Sequence, residues 1–183
     1  MLSLTALMGF LLLSGAISAL PAHASAPTLP SYAVTLTAYN AVPEQTDDDP
    51  LITASGAFSN PEIVAARSRD LADELPFGTI IEISGPSASK NNSCGYGIVE
   101  PIIGYRVIAD AMNARYTNRI DILFHTESNY KMADGKMKNA GNVLGICSDA
   151  FIRVVGYVGI NHMPNTQAEL ARLVSGDNAL AIK

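Results

Sequence analysis

The sequence predicts a small, mainly β protein: a closed barrel carrying a few short helices. Three observations carry that expectation. Several short runs are apolar or alternate apolar and polar residues in the manner of strands. The segments between them are rich in Gly, Ser, Asn and Pro, and one segment near the C-terminus has a marked amphipathic helix signature. Composition sets the outer bounds. Of 183 residues 48% are apolar and 16% charged, which excludes intrinsic disorder. A net charge of −5 argues against a nucleic-acid binder, and 7% aromatic residues with no Trp supply no broad stacking platform.

The first element is an export signal. Leu2 to Leu20 carries no charge, Pro21 breaks the run, and Ala22-His23-Ala24 provides a small-x-small cleavage site. Cleavage after Ala24 makes Ser25 the mature terminus; the alternative is a retained anchor, because about 20 apolar residues can span a bilayer. Residues 25–32 form a lead-in, and the barrel domain is expected over 33–160. Its strands are Ala33–Tyr39, Thr79–Ser84, Gly104–Asp110, Asn118–Phe124 and Phe151–Tyr157, with a shorter apolar run at Ile63–Arg67. Asp70 to Glu74 reads as a helical turn stopped by Pro76, and residues 127–147 as a polar surface excursion. In the C-terminal tail, 161–183, Thr166-Gln-Ala-Glu169 is a capping box opening a helix over Gln167–Val174.

Two cysteines remain in an exported chain, Cys94 and Cys147, and the expected state is a disulfide between them. Zinc spacing is absent, since neither has a nearby His. Three consecutive aspartates, Asp47 to Asp49, do not converge on one calcium ion without a looped backbone. No metal and no cofactor is therefore expected.

The candidate chemistry rests on carboxylates. Asp110 ends the run Val107-Ile-Ala, and Asp121 interrupts Arg119-Ile-Asp-Ile-Leu123. A charge inside an apolar strand is costly unless it is paired or used. Each aspartate is either a turn cap or a partner of Arg106, Arg115 or Arg119, or it belongs to a site. A carboxyl in apolar surroundings has the raised pKa that a general acid needs, and two of them in one cleft are equipment for cleaving glycosidic bonds.

At this point the chain resembles a known family. Tyr39, Gln45-Thr46-Asp47 with Pro50, Thr53-Ala-Ser-Gly56, Leu75-Pro-Phe-Gly-Thr79, Asp110 and Arg119-Ile-Asp121 occur in the order seen in the three-aspartate (3D) domain. That family is similar to the barrel of the MltA-like lytic transglycosylases. Asp70 stands a few residues beyond the place where many members carry a further aspartate, and Asp110 is followed by Ala-Met-Asn where many have Thr-Gly. The resemblance covers roughly residues 35–124.

The resemblance implies a six-stranded double-psi β-barrel and cleavage of peptidoglycan between N-acetylmuramic acid and N-acetylglucosamine, leaving a 1,6-anhydro end. Asp121 would be general acid and then base, with Asp110 stabilising positive charge at the sugar ring. Asp47, Asp70, Arg115 and Arg119 would support them or bind substrate. The expected partner is the glycan strand and not nucleic acid, in the periplasm or at the cell envelope, with peripheral envelope association. A monomer is expected. The alternative is a non-catalytic wall-glycan-binding module on the same barrel.

Overall fold

The structure, a computed structural model, describes residues 29–46, 49–86 and 94–176. The expected export signal, 1–24, and Asp47 lie outside the described residues, as does the end of the tail beyond 176. In chain order the elements are β1 (Ser31–Asn40), β2 (Val64–Arg67), β3 (Thr79–Ser84), α1 (Tyr96–Val99), β4 (Arg106–Ala111), β5 (Arg119–Phe124), β6 (Asn129–Lys131), β7 (Met137–Asn139), α2 (Ala140–Leu144), β8 (Cys147–Tyr157) and α3 (Gln167–Ser175).

Six of these strands close a barrel in the order β1-β5-β2-β4-β3-β8. The pairs β1–β5 and β2–β4 are parallel, and the other four are antiparallel. Closure leaves the six barrel strands without an open edge. Side-chain alternation then divides the apolar residues into two sets. Leu36, Ala65, Ile81, Ile108, Ile120, Ile122, Ile152 and Val154, drawn from all six barrel strands, form one buried cluster, the barrel interior. Val64, Ile80, Val107, Ala109 and Leu123 face the other way and pack with Val158 and with Leu170 of α3.

The helix predicted near the C-terminus is present. The Thr166 side chain accepts from the Glu169 amide at 3.2 Å, and the Glu169 carboxylate reaches back to the Asn165 amide at 2.8 Å. That reciprocal arrangement satisfies amides that a helix start would otherwise leave unpaired. Residues 127–147, expected as a polar excursion, are more ordered than their composition suggested. They hold the β6–β7 hairpin and α2, whose Ala140, Val143 and Leu144 join the interior cluster. Periodicity over five residues is too short to reveal such a helix. Cys94 and Cys147 form the expected disulfide, with Cα atoms 5.2 Å apart, joining the segment before α1 to the start of β8.

One glycine position is dictated by a close approach. Gly78 opens β3 at φ +93°, and a Cβ there would lie 2.2 Å from the Val158 carbonyl oxygen. Its amide donates to Ile108 and its carbonyl accepts from Val158, so this turn binds β4 to the end of β8.

Candidate active site

Ala66 on the short strand β2 is the reference point of the site. It pairs with Asp110 on β4 on one side and with Asp121 on β5 on the other. Two interstrand spacings put the aspartate Cα atoms about 10 Å apart. Ala66 between them contributes only a methyl group, which leaves room for a cleft. Asp121 faces away from the interior by simple alternation between Ile120 and Ile122. Asp110 does so for a different reason. The β2–β4 register shifts between Ala65, paired with Ile108, and Ala66, paired with Asp110. The extra residue, Ala109, is a β-bulge, and it turns Asp110 onto the same face as Ala66 and Asp121.

The two carboxylates have different surroundings. Asp110 is held at both oxygens. Oδ1 accepts from the amides of Ala54 (2.9 Å) and Ala111 (2.8 Å), and Oδ2 accepts from the Tyr39 hydroxyl (2.7 Å). Among the described residues Asp121 accepts one hydrogen bond, from the Thr37 hydroxyl to Oδ1 at 2.7 Å. Burial pushes the Asp121 carboxyl up to about 6, against the lowering influence of Thr37 and Arg119; Asp110 adds the smallest upward push. The raised value thus comes chiefly from desolvation rather than from carboxylate pairing. Tyr39 is raised well above its ordinary value by burial and by Asp110, so it stays a neutral donor.

Both aspartates line a cleft of about 590 Å³. The loop after β1 supplies Glu44, Gln45 and Thr46, Ile52 adds an apolar rim, and Arg69, Asn113, Arg115 and Tyr116 form another wall. The Thr53–Gly56 segment that the sequence singled out acts through its backbone: the Ala54 amide holds Asp110, and the Ser55 amide donates to the bulged Ala109 carbonyl. Among the described residues, no group of three or more His, Cys, Asp or Glu side chains is placed to hold a metal ion.

The other sequence candidates divide clearly. Arg115 lines the cleft, while Arg119 lies beside it with its guanidinium 4.8 Å from the Tyr116 ring centroid. Asp70 does not line the cleft. Its Oδ2 accepts from the Asn118 amide at 2.8 Å, and the Ser68 hydroxyl, with that amide, lowers its pKa. It fixes a turn in which Asn118 adopts φ 48°. Arg106, a sequence candidate for holding carboxylates, is buried instead among backbone carbonyls of Pro61, Ile102, Ile103 and Leu123. Burial lowers its pKa to about 9. The contribution of Arg69 carries no signal in the sequence, because only the pairing of β2 with β4 and β5 brings residue 69 beside residue 115. Neither the protein-family models nor the curated proteins contain a match to this chain.

Proposed function

We propose that the protein is an exported enzyme cleaving the glycosidic bond between N-acetylmuramic acid and N-acetylglucosamine in peptidoglycan, as a lytic transglycosylase. One observation carries this reading: two carboxylates flank Ala66 on one face of a cleft, Asp110 tied by three hydrogen-bond donors and Asp121 tied by one and pushed up to about 6 by burial. Asymmetry of that kind separates acid from stabiliser. The strand order, with parallel pairs at β1–β5 and β2–β4, supports a double-psi barrel, and the disulfide supports an oxidising compartment.

In this mechanism protonated Asp121 gives its proton to the glycosidic oxygen as the C1–O bond breaks. Asp110, held by three donors, faces the positive charge developing at the ring. The Asp121 carboxylate then takes the proton of the sugar's C6 hydroxyl as that oxygen bonds to C1, closing the anhydro ring and restoring the acid. No covalent intermediate and no metal takes part. Because the acid must start protonated, turnover falls as pH rises through about 6.

Digestion of purified peptidoglycan, with mass analysis of the soluble products, tests the proposal. Anhydro-muropeptides are expected. Products with reducing ends would reassign the same site to hydrolysis, and binding without release would make the barrel a glycan-binding module and overturn catalysis.

A further inference from the structure

Two arginines, Arg69 and Arg115, line the cleft and a third, Arg119, lies beside it, in a chain whose net charge is −5. Arg69 follows β2, while Arg115 and Arg119 lie between β4 and the start of β5. Backbone and side-chain bonds tie these segments into one wall: Met112 N to Arg67 O, Ser68 N to Arg119 O, Arg119 N to Ser68 Oγ, and Asn118 N to Asp70 Oδ2. Arg115 and Arg119 each place the guanidinium carbon 4.8 Å from the Tyr116 centroid, and Arg115 Nη2 donates to the Tyr116 hydroxyl at 2.9 Å. Two planar cations thus stack on one ring.

Like charges held together call for an anion. Among the described residues, the ion pairs are Lys136–Asp134 and Arg153–Glu82, so none of the three arginines has a carboxylate within salt-bridge distance. Nε of Arg119 is buried with no acceptor at all. An unpaired buried donor is costly and is normally satisfied by a partner. Within the cleft lining the negative groups are Glu44 on the loop after β1 and the aspartates beside Ala66, and Arg119 is near enough to Asp121 to lower its pKa.

We propose that Arg69, Arg115 and Arg119, ordered by Tyr116, form an anion subsite that selects glycan bearing carboxylate substituents over neutral glycan. The subsite rests on the glycan-cleft reading and names its substrate class. A guanidinium fork matches a carboxylate in two parallel hydrogen bonds, which a neutral acetamido sugar does not offer. In wall glycan that carboxylate has two sources, the lactyl ether of the muramyl sugar or the attached peptide.

Calorimetric binding by the mature protein carrying Asp121→Asn, which binds strands without turning them over, tests the subsite. Four probes are compared: peptide-stripped strands with free lactyl acids, the same strands with those acids amidated, peptide-bearing strands, and a neutral N-acetylglucosamine hexamer. Acidic strands are expected to bind about tenfold or more tightly than neutral ones, from the strength of charge-assisted bonds. Arg69→Gln and Arg115→Gln, both at exposed positions, should abolish that preference by lowering acidic-strand binding towards the level of the hexamer, and leave the melting temperature unmoved. Arg115→Lys should recover only part of it. Preference for stripped strands assigns the lactyl acid, and preference confined to peptide-bearing strands assigns the peptide acid. Equal binding of acidic and neutral strands, an undiminished preference in the Gln variants, or no binding of any probe overturns the subsite. Failure of the wild-type protein to cleave, with the arginine-dependent preference intact, removes the enzyme reading and leaves the subsite standing.

Discussion

Asp121 works against the stability of the protein that carries it. Its folded pKa of about 6 lies above the ordinary carboxyl value of 3.8, so the folded chain holds the proton more tightly than the unfolded chain. Stability from this group is fully present below the unfolded value and is lost as pH rises through the folded one. Replacing Asp121 with Asn keeps the shape and an oxygen for the Thr37 hydroxyl while removing the buried charge. Thermal melts should therefore show Asp121→Asn more stable than wild type at pH 7.5, by about 1–3 kcal/mol, with the gap closing towards pH 4. Glycan cleavage by the same variant should fall roughly 100-fold or more, since an amide cannot transfer the proton. An aspartate held for structure would show the opposite, a loss of stability together with activity.

At the scale of elements, the short turn into β3 matters more than its length suggests. Gly78 combines a positive φ with a carbonyl pressed against the site of a missing Cβ. Gly78→Ala should cost about 2–4 kcal/mol in urea unfolding, because strain and steric clash add at backbone that cannot retreat. Retained stability would mean that the β3–β8 corner yields. The sequence made these elements legible to different degrees. Ile120-Asp-Ile122 alternates cleanly, so both the strand and the outward aspartate could be read from it. Val107-Ile-Ala-Asp110 marked a strand but hid the bulge, because surplus length relative to a partner strand has no local signature. Arg106 looked like a site cation because its linear neighbours say nothing of the carbonyls that converge on it from residues 61 and 123.

The whole molecule is closed twice, once by hydrogen bonding around the barrel and once by the Cys94–Cys147 bond, which spans 53 residues of sequence. Removing a cross-link over such a loop should lower stability by about 2–4 kcal/mol. A Cys94→Ser, Cys147→Ser double variant should thus melt several degrees lower yet keep cleavage at temperatures below its melt, since no cleft-lining residue lies in 94–105 or 140–158. Equal melting temperatures for the two proteins would show that the bond constrains nothing the fold has not already fixed. Fold class and disulfide were legible from composition, alternation and compartment. The cleft was not, because it arises only where closure brings residues 44, 69 and 115 around Ala66.

The bulge at Ala109 decides which face of the barrel Asp110 serves. A residue gained or lost in a connecting turn shifts only that turn, since the paired strands on either side keep their registers. Register within β4 is different: were the ladder with β2 even over the same residues, Ala109 would pair with Ala66 and Asp110 would take the inward orientation of Ile108. A carboxylate would then point into a core of isoleucines, and the bonds from Ala54 and Tyr39 would have no acceptor. The site therefore depends on the register of one strand pair as much as on the identity of its side chains.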